Sequence, residues 1–438
     1  MKPRSLPTGL LVLTTLAVVF TTFFQPFYYV QGANQYKPHV VGVLPTVKDT
    51  KLQVETVFKA LNFPTSMAFL GPDDILVTEK NNGKVQRIIN GTIQQDPVLD
   101  VNVATRAERG MLGIAISEIN NSFTNRDAPR YIYLYFTRSA QEKDSNGEIG
   151  EKSAANNIYR YELIGNKLSN AVQLLNLSMQ IGFSHNGGAL IIGPDNNLYV
   201  PIGDGDGLPK SSKFPIHTTE AQNVIGGGPP DSSGGIVTIT PEGLSYKNIL
   251  GNAEPTRKYY AYGIRNSFGL DFDPLSGKLW DTENGDHYGD EINLVEPGFN
   301  SGWKKVQGKA PNDFNYSQLE NFDGKGKYRD PEFSWAEPVA PTKIKYLNSD
   351  KFGDKYKNDM FVSDIKYGRI YHFDLNEKRD GLILSGKLAD KVADSDEETS
   401  ELIFGSGFGG ITDMKVGPDG YLYVLSFGNG AIYKIAPK

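Results

Sequence analysis

Apolar positions in this chain fall into short alternating runs, paired about turns of similar composition, and the pairing recurs along the sequence. Ser66-Met-Ala-Phe-Leu-Gly-Pro-Asp-Asp-Ile-Leu-Val-Thr-Glu79 opens the series and is followed by Gly83-Lys-Val-Gln-Arg-Ile88. Gly188-Ala-Leu-Ile-Ile-Gly-Pro-Asp-Asn-Asn-Leu-Tyr-Val200, Gly269-Leu-Asp-Phe-Asp-Pro-Leu-Ser-Gly-Lys-Leu-Trp280 and Thr412-Asp-Met-Lys-Val-Gly-Pro-Asp-Gly-Tyr-Leu-Tyr-Val424 repeat it. Each reads as a strand, a Pro-Asp-x-x or Pro-x-x-Gly turn, and a second strand. Proline presets φ at the turn, and Asp, Asn and Gly accept its tighter conformations. Two weaker copies pair Met111–Ile116 with Tyr131–Phe136, and Ile344–Tyr346 with Asp359–Val362 and Arg369–Phe373. A hairpin unit of this kind cannot bury its apolar face alone, so repeated units stack and close into a ring. Six units predict an all-β fold, a six-bladed β-propeller with four-stranded antiparallel blades over residues 60–438. A sandwich or jelly roll would not repeat one hairpin signature six times. Ligands of such a ring sit over its central channel, so the insertions after the inner strands are where chemistry is expected.

Composition agrees with many short strands and tight turns: 47 glycines, 11% aromatics and only 22% charged residues. The net charge of −6 comes with no block of Lys and Arg, which leaves no basic face for a nucleic acid. There is no cysteine, so stability must come from a large buried core rather than disulfides.

The first 32 residues stand apart. Lys2 and Arg4 precede the apolar stretch Leu10–Phe24, and Val30-Gln31-Gly32 offers small residues for cleavage, the form of a signal peptide. The alternative is an uncleaved anchor, because apolar character resumes at Phe27–Val30 after the Gln25-Pro26 interruption. Either way residues 33–438 lie outside the cytoplasm, secreted or at the cell surface, with 33–59 as a lead-in. Cleavage removes two positive charges and takes the net charge from −6 to −8. Asn90, Asn120, Asn176 and Asn315 begin Asn-x-Ser/Thr sequences, either glycosylation acceptors or chance occurrences.

Histidine is scarce: His39, His185, His217, His287 and His372 are all there are. His185 lies in Gly182-Phe-Ser-His-Asn-Gly-Gly188, where glycines permit close approach and a neutral imidazole is a suitable general base; the plainer alternative is a hydrogen-bonded turn residue. Tyr262-Gly-Ile-Arg-Asn266 places Arg265 and Asn266 just before a strand. Thr282-Glu-Asn-Gly-Asp-His-Tyr-Gly-Asp-Glu291 joins acids to glycines, and carboxylates and freed carbonyls are the hard oxygens calcium prefers, although such a turn is also an ordinary solvated loop.

Taken together with Gly289-Asp-Glu-Ile-Asn-Leu294, Gly298-Phe-Asn-Ser-Gly-Trp303 and Glu108-Arg-Gly-Met-Leu-Gly113, these strings resemble the soluble, quinone-dependent glucose/sorbosone dehydrogenases, in order from about Ala60 to Pro437. The resemblance implies a six-bladed propeller that oxidises the anomeric hydroxyl of an aldose to the lactone and passes electrons to an external acceptor. Pyrroloquinoline quinone would take the hydride and calcium would act as Lewis acid. It implies His185 as the base, Arg265 beside the reacting quinone carbonyl, and Asn266, Lys366 and Glu108 as cofactor contacts. Trp335 falls at the substrate mouth, and Gly285 and Asp286 where two backbone carbonyls hold calcium. The chain also departs from the pattern. Quinone-binding members carry Arg-x-Arg-Asp near the last blade, a clamp on cofactor carboxylates, where this chain has Gly410-Ile-Thr-Asp413. Ser184 replaces an Asp beside the base, and Glu108 stands where glutamine is often found; Lys415 and Lys343 are the nearest substitutes for the lost arginines. Without the arginines, two charge-assisted contacts of about 1.5–3 kcal/mol each are missing. Two further readings therefore stay open: a non-catalytic extracellular propeller that binds glycans or a surface partner, and a calcium-dependent lactonase. The latter needs several side-chain carboxylates around a central metal, and no convincing set is visible.

Overall fold

The computed structural model describes residues 44–117, 130–146, 155–177, 182–205 and 218–438. The signal-like segment, His39, His217 and Asn120 lie outside them. Among the described residues the strands form six sheets, of four to six strands each. Every sequence-predicted hairpin is found: Pro64–Gly71 with Asp74–Glu79, Met111–Ile116 with Tyr131–Arg138, Ile191–Ile192 with Leu198–Ile202, Ser267–Phe272 with Leu279–Glu283, Pro341–Tyr346 with Met360–Asp364, and Ile411–Val416 with Leu422–Ser426.

The repeat extends to individual hydrogen bonds. In Gly193-Pro-Asp195 and again in Gly417-Pro-Asp419, one carboxylate oxygen accepts the amide two residues on, from Asn197 and Tyr421. The other accepts a tyrosine hydroxyl four residues on, Tyr199 at 3.0 Å and Tyr423 at 2.9 Å. Glycine is required before the proline because a Cβ would lie 2.6 Å and 2.5 Å from those two rings.

The core consists of apolar clusters between consecutive sheets. Ala68, Leu76 and Val85 meet Met111, Ile132 and Leu134, and equivalent clusters join each later pair. The ring closes where Tyr423, Leu425 and Ile432 of the last sheet pack on Met67, Ile75 and Val77 of the first. Buried threonine hydroxyls add polar stitches to neighbouring inner strands: Thr65 to Met111 O, Thr282 to Thr342 O, Thr342 to Ile411 O, and Thr412 to Pro64 O, at 2.6–2.9 Å. Closure is also covalently out of order: Leu52–Lys59 pairs antiparallel with Ala431–Pro437, so the N-terminal strand completes the C-terminal sheet. The fold is a β-propeller built of antiparallel sheets.

Two expectations change. Within the expected lead-in 33–59, Leu52–Lys59 is part of the ring, a full strand whose partner lies at the other end of the chain. Four strands per sheet holds for only two sheets. Connecting segments add short edge strands elsewhere, some of them parallel, as where Phe299–Asn300 joins Tyr259–Tyr262 and Val392–Ala393 joins Phe333–Trp335. Among the described residues no helix is long and apolar enough to cross a membrane.

Candidate active site

His185 follows the second sheet at φ 58°, a left-handed conformation that a residue with a side chain adopts only when its surroundings enforce it. The enforcing contact is the Glu108 carboxylate, which accepts the His185 amide at 2.6 Å, while the Glu108 amide bonds Phe183 O at 3.0 Å. Glu108 thus supports the backbone of His185.

Sequence reasoning did not single out the partner of the imidazole. Asp204, just past the strand Leu198–Ile202, lies 2.7 Å from His185 Nδ1 through Oδ1, and its Oδ2 accepts Trp303 Nε1–H at 2.7 Å. Burial pushes the Asp204 carboxyl up, but the His185 bond and charge, the Lys304 charge and the Trp303 donor together hold it below the usual range. An ionised Asp204 fixes the proton on Nδ1 and leaves Nε2 with its lone pair. Among the described residues no hydrogen bond engages Nε2. The signal was present in Gly203-Asp-Gly-Asp-Gly207, an acid between glycines at a strand end.

Gly203 also brings Arg265 alongside. A Cβ there would lie 2.3 Å from His185 O and 2.9 Å from Arg265 O, so no larger residue could hold these two segments so close. The Asp204 amide bonds Arg265 O at 2.8 Å, and Asn266 Oδ1 accepts the Gly187 amide at 3.3 Å. The Arg265 guanidinium donates to Asn284 O at 3.0 Å and Asp286 Oδ1 at 3.2 Å, and lies 5.5 Å from the Trp303 ring centroid. Its Nε is buried without a partner.

The loop Asn284–Gly289 lies on the other side of Arg265. A Cβ on Gly285 would fall 2.2 Å from Tyr288 O and 2.7 Å from Gly289 O, so main-chain oxygens occupy the space of a side chain. Asp290 anchors the loop: Oδ1 accepts the Gly285 amide at 2.8 Å, and Oδ2 accepts those of Val339 and Ala340 at 2.6 and 2.7 Å. Ala340 O in turn accepts the Ile365 amide, so the segment bearing Lys366 is tied to the same anchor. Lys366 itself donates to Pro338 O at 2.8 Å and Glu337 Oε1 at 3.4 Å.

Beneath this loop lies an acidic cluster that the sequence reading did not anticipate. Asp281, Glu283 and Glu291 are buried on one face of adjacent strands, with Glu283 directly opposite Glu291. Ser301 Oγ bridges the pair, at 2.6 and 3.0 Å. Burial raises all three carboxyls, Asp281 to about 7 and Glu291 to about 8, and the charges of Glu291 and Asp281 push Glu283 further.

Trp335 is corrected by the structure. It is fully buried between the fourth and fifth sheets, against Phe333, Tyr371 and Phe373, so it is core and no substrate contact. The resemblance places it at the substrate mouth, whereas Phe333–Trp335 is a strand of the fourth sheet. The two clamp positions hold no cation. Gly410 has φ 79°, and Thr412 Oγ1 is spent on Pro64 O. Neither proposed substitute is available: Lys343 Nζ is buried on Leu270 O at 3.0 Å, and Lys415 Nζ lies 3.7 Å from Asp413 Oδ2.

Residues 61–434 match the family described as Glucose / Sorbosone dehydrogenase. The aldose sugar dehydrogenase of Escherichia coli is 24% identical over 399 residues, covering 88% of this chain and 93% of that protein. Quinoprotein glucose dehydrogenase B of Acinetobacter calcoaceticus is 30% identical over 274 residues, 60% of this chain and 54% of that one. Among solved structures, the PQQ-bound aldose sugar dehydrogenase of Streptomyces coelicolor superposes with a TM-score of 0.60 at 22% identity, covering 90% of this chain and all of that one. The match runs through all six sheets and both segments that meet at Gly203: this chain belongs to the glucose/sorbosone dehydrogenase family.

Proposed function

We propose that this chain is an exported sugar oxidoreductase, a six-bladed propeller that oxidises the anomeric hydroxyl of an aldose and delivers electrons to an external acceptor. The observation that carries the reading is the His185–Asp204 pair set against Arg265. It joins a base with its lone pair free, an anion that fixes the tautomer, and a fixed cation on the other side of Gly203.

The residues fit the reacting half of the family's cofactor. The main-chain oxygens of Tyr288 and Gly289 gather at Gly285, hard donors of the kind calcium takes, and the Asp286 carboxylate is engaged by Arg265; in the family's pattern the carbonyls of Gly285 and Asp286 would hold the metal. The partnerless Arg265 Nε offers a donor from a buried cation. Bound there, pyrroloquinoline quinone would supply the hydride acceptor and calcium the Lewis acid that polarises it. His185 Nε2 takes the proton of the anomeric hydroxyl, and Asp204 stabilises the imidazolium that forms. Arg265 presents a preorganised positive charge where negative charge develops, and Asn266 and Gly187 hold the adjoining backbone.

One observation favours the second reading, a propeller that binds glycans or a surface partner without chemistry: Gly410 and Thr412 give no purchase on cofactor carboxylates. The deciding experiment adds the quinone and Ca²⁺ to purified protein. A bound-cofactor absorbance with sugar-dependent dye reduction is expected; binding of sugars without either signal would overturn the enzyme in favour of the binder.

A further inference from the structure

At two adjacent interior strands of the fifth sheet, three ligand-bearing side chains converge. Asp359 precedes the strand Met360–Asp364; His372 lies on the neighbouring strand Ile370–Phe373, and Asp374 follows it. His372 Nε2 is 2.9 Å from Asp359 Oδ2 and 3.6 Å from Asp374 Oδ1, and one ligand atom from each residue lies within 4.8 Å of the other two. We propose that Asp359, His372 and Asp374 bind a divalent transition-metal ion of the zinc class, independently of any ligand in the central site.

Three lines of reasoning support this. The first is spacing. Metal–ligand bonds of about 2.0–2.1 Å in tetrahedral geometry put neighbouring ligand atoms about 3.3 Å apart. The two observed separations from Nε2 straddle that value, and the third pair of ligand atoms lies within 4.8 Å. A single N–H on Nε2, by contrast, cannot point along both directions at once.

The second is charge. Asp359 and Asp374 set two carboxylates about one imidazole, and the ammonium near them is that of Lys355, which donates to the Tyr356 hydroxyl at 2.9 Å. With neutral imidazole, two carboxylates against one ammonium leave a net negative charge, which a divalent cation offsets.

The third is preorganisation. The imidazole is wedged between the rings of Tyr356 and Phe361, each 5.1 Å away centroid to centroid, which holds Nε2 toward the carboxylates. One nitrogen and two carboxylates suit zinc, cobalt or nickel, whereas calcium and magnesium prefer all-oxygen sets.

The test uses the full chain, stripped with chelator and returned to excess Ca²⁺ so that oxygen-rich sites are filled, then titrated with Zn²⁺ by calorimetry. One equivalent is expected to bind, with a rise in thermal midpoint that grows with Zn²⁺ concentration. Asp374→Asn, at an exposed position, and His372→Gln should each weaken that binding by about tenfold or more. Zn²⁺ uptake that is absent, or unchanged in both variants while they remain folded, overturns the proposal. Neither outcome bears on His185.

Discussion

Asp204→Asn is the sharpest test of the central site, because it keeps shape and removes one property. In the native protein Asp204 accepts at both oxygens, from His185 Nδ1 and Trp303 Nε1, each at 2.7 Å. An asparagine has one acceptor and one donor. If its oxygen keeps Trp303, its amide group faces His185 Nδ1, which must then accept; the ring proton moves to Nε2 and the base loses its lone pair. General-base assistance is worth about 10²–10⁴ in rate, and turnover of sugar should fall by that amount. If the oxygen instead keeps His185, Trp303 faces a donor, and the lost charge-assisted bond costs about 1.5–3 kcal/mol of stability.

Acid stability gives a second readout with a defined sign. The folded carboxyl of Asp204 lies below its ordinary value, so it contributes stability that is present above about pH 4 and lost as pH falls through the folded value. The variant lacks that acid-sensitive increment. ¹⁵N-edited NMR of the imidazole reports the tautomer without any cofactor: Nδ1–H in the wild type, Nε2–H in a variant whose oxygen keeps Trp303. A variant whose Nε2 carries the proton and that still turns over within about threefold of wild type refutes the role given to Asp204.

The remaining predictions concern single sites. His185→Ala should lower turnover by at least about a hundredfold while leaving quinone binding intact, and His185→Gln should be nearly as damaging because an amide cannot take a proton; activity that merely tracks the folded fraction would make His185 structural. Gly285→Val should abolish calcium retention, since its Cβ would lie 2.2 Å from Tyr288 O, whereas Asp286→Asn should change it little; calorimetric Ca²⁺ titration in the reverse order would make the carboxylate the ligand. Burial lowers Lys343 to about 8 from 10.5, a cost of roughly 3 kcal/mol that is full below pH 8 and gone above 10.5. Lys343→Met should therefore be more stable than wild type at pH 7 by that amount, less about 1–3 kcal/mol for the orphaned Leu270 carbonyl, and should lose the advantage by pH 10 in denaturant melts.

The fold was legible because its signals are local. A Gly-Pro-Asp turn specifies its own hydrogen bonds within six residues, as Asp195 and Asp419 show, and the alternation on either side fixes which face is buried. The strand Leu52–Lys59 was missed because nothing local distinguishes it; its partner lies nearly the full chain away at Ala431–Pro437. The site divides the same way. His185 and Arg265 stand beside glycines and could be picked out as residues, but the hydrogen bond joining His185 to Asp204 exists only once Gly203 lets the segments touch. Trp335 was placed at the substrate mouth by resemblance alone, and its actual neighbours Tyr371 and Phe373, which come from another sheet, leave no local signal that could have placed it.

The absence of a carboxylate clamp is built into the backbone and is more than a side-chain exchange. Gly410 combines φ 79° with an approach that would put a Cβ 2.9 Å from Ile365 O, and Gly409 would place one 2.4 Å from the Asn429 side chain. Gly368, across from them, would meet the Gly409 and Gly410 amides at 2.6 and 2.7 Å. Three glycines therefore let the segment at 405–410 pack directly on the turn after Asp364, and that turn is held by the Asp364 carboxylate through the Tyr367 and Gly368 amides. An arginine at 410 would need a left-handed conformation costing about 1–3 kcal/mol as well as a displaced turn. The same turn carries Lys366 and connects through Ala340 to Asp290 and the Gly285 loop. Close packing at Gly410 thus supports the Gly285 loop through the residues that would have to move to restore the clamp. On this geometry His185, Arg265 and the Gly285 loop form one connected unit, and under the proposed function a cofactor would be held chiefly from that side.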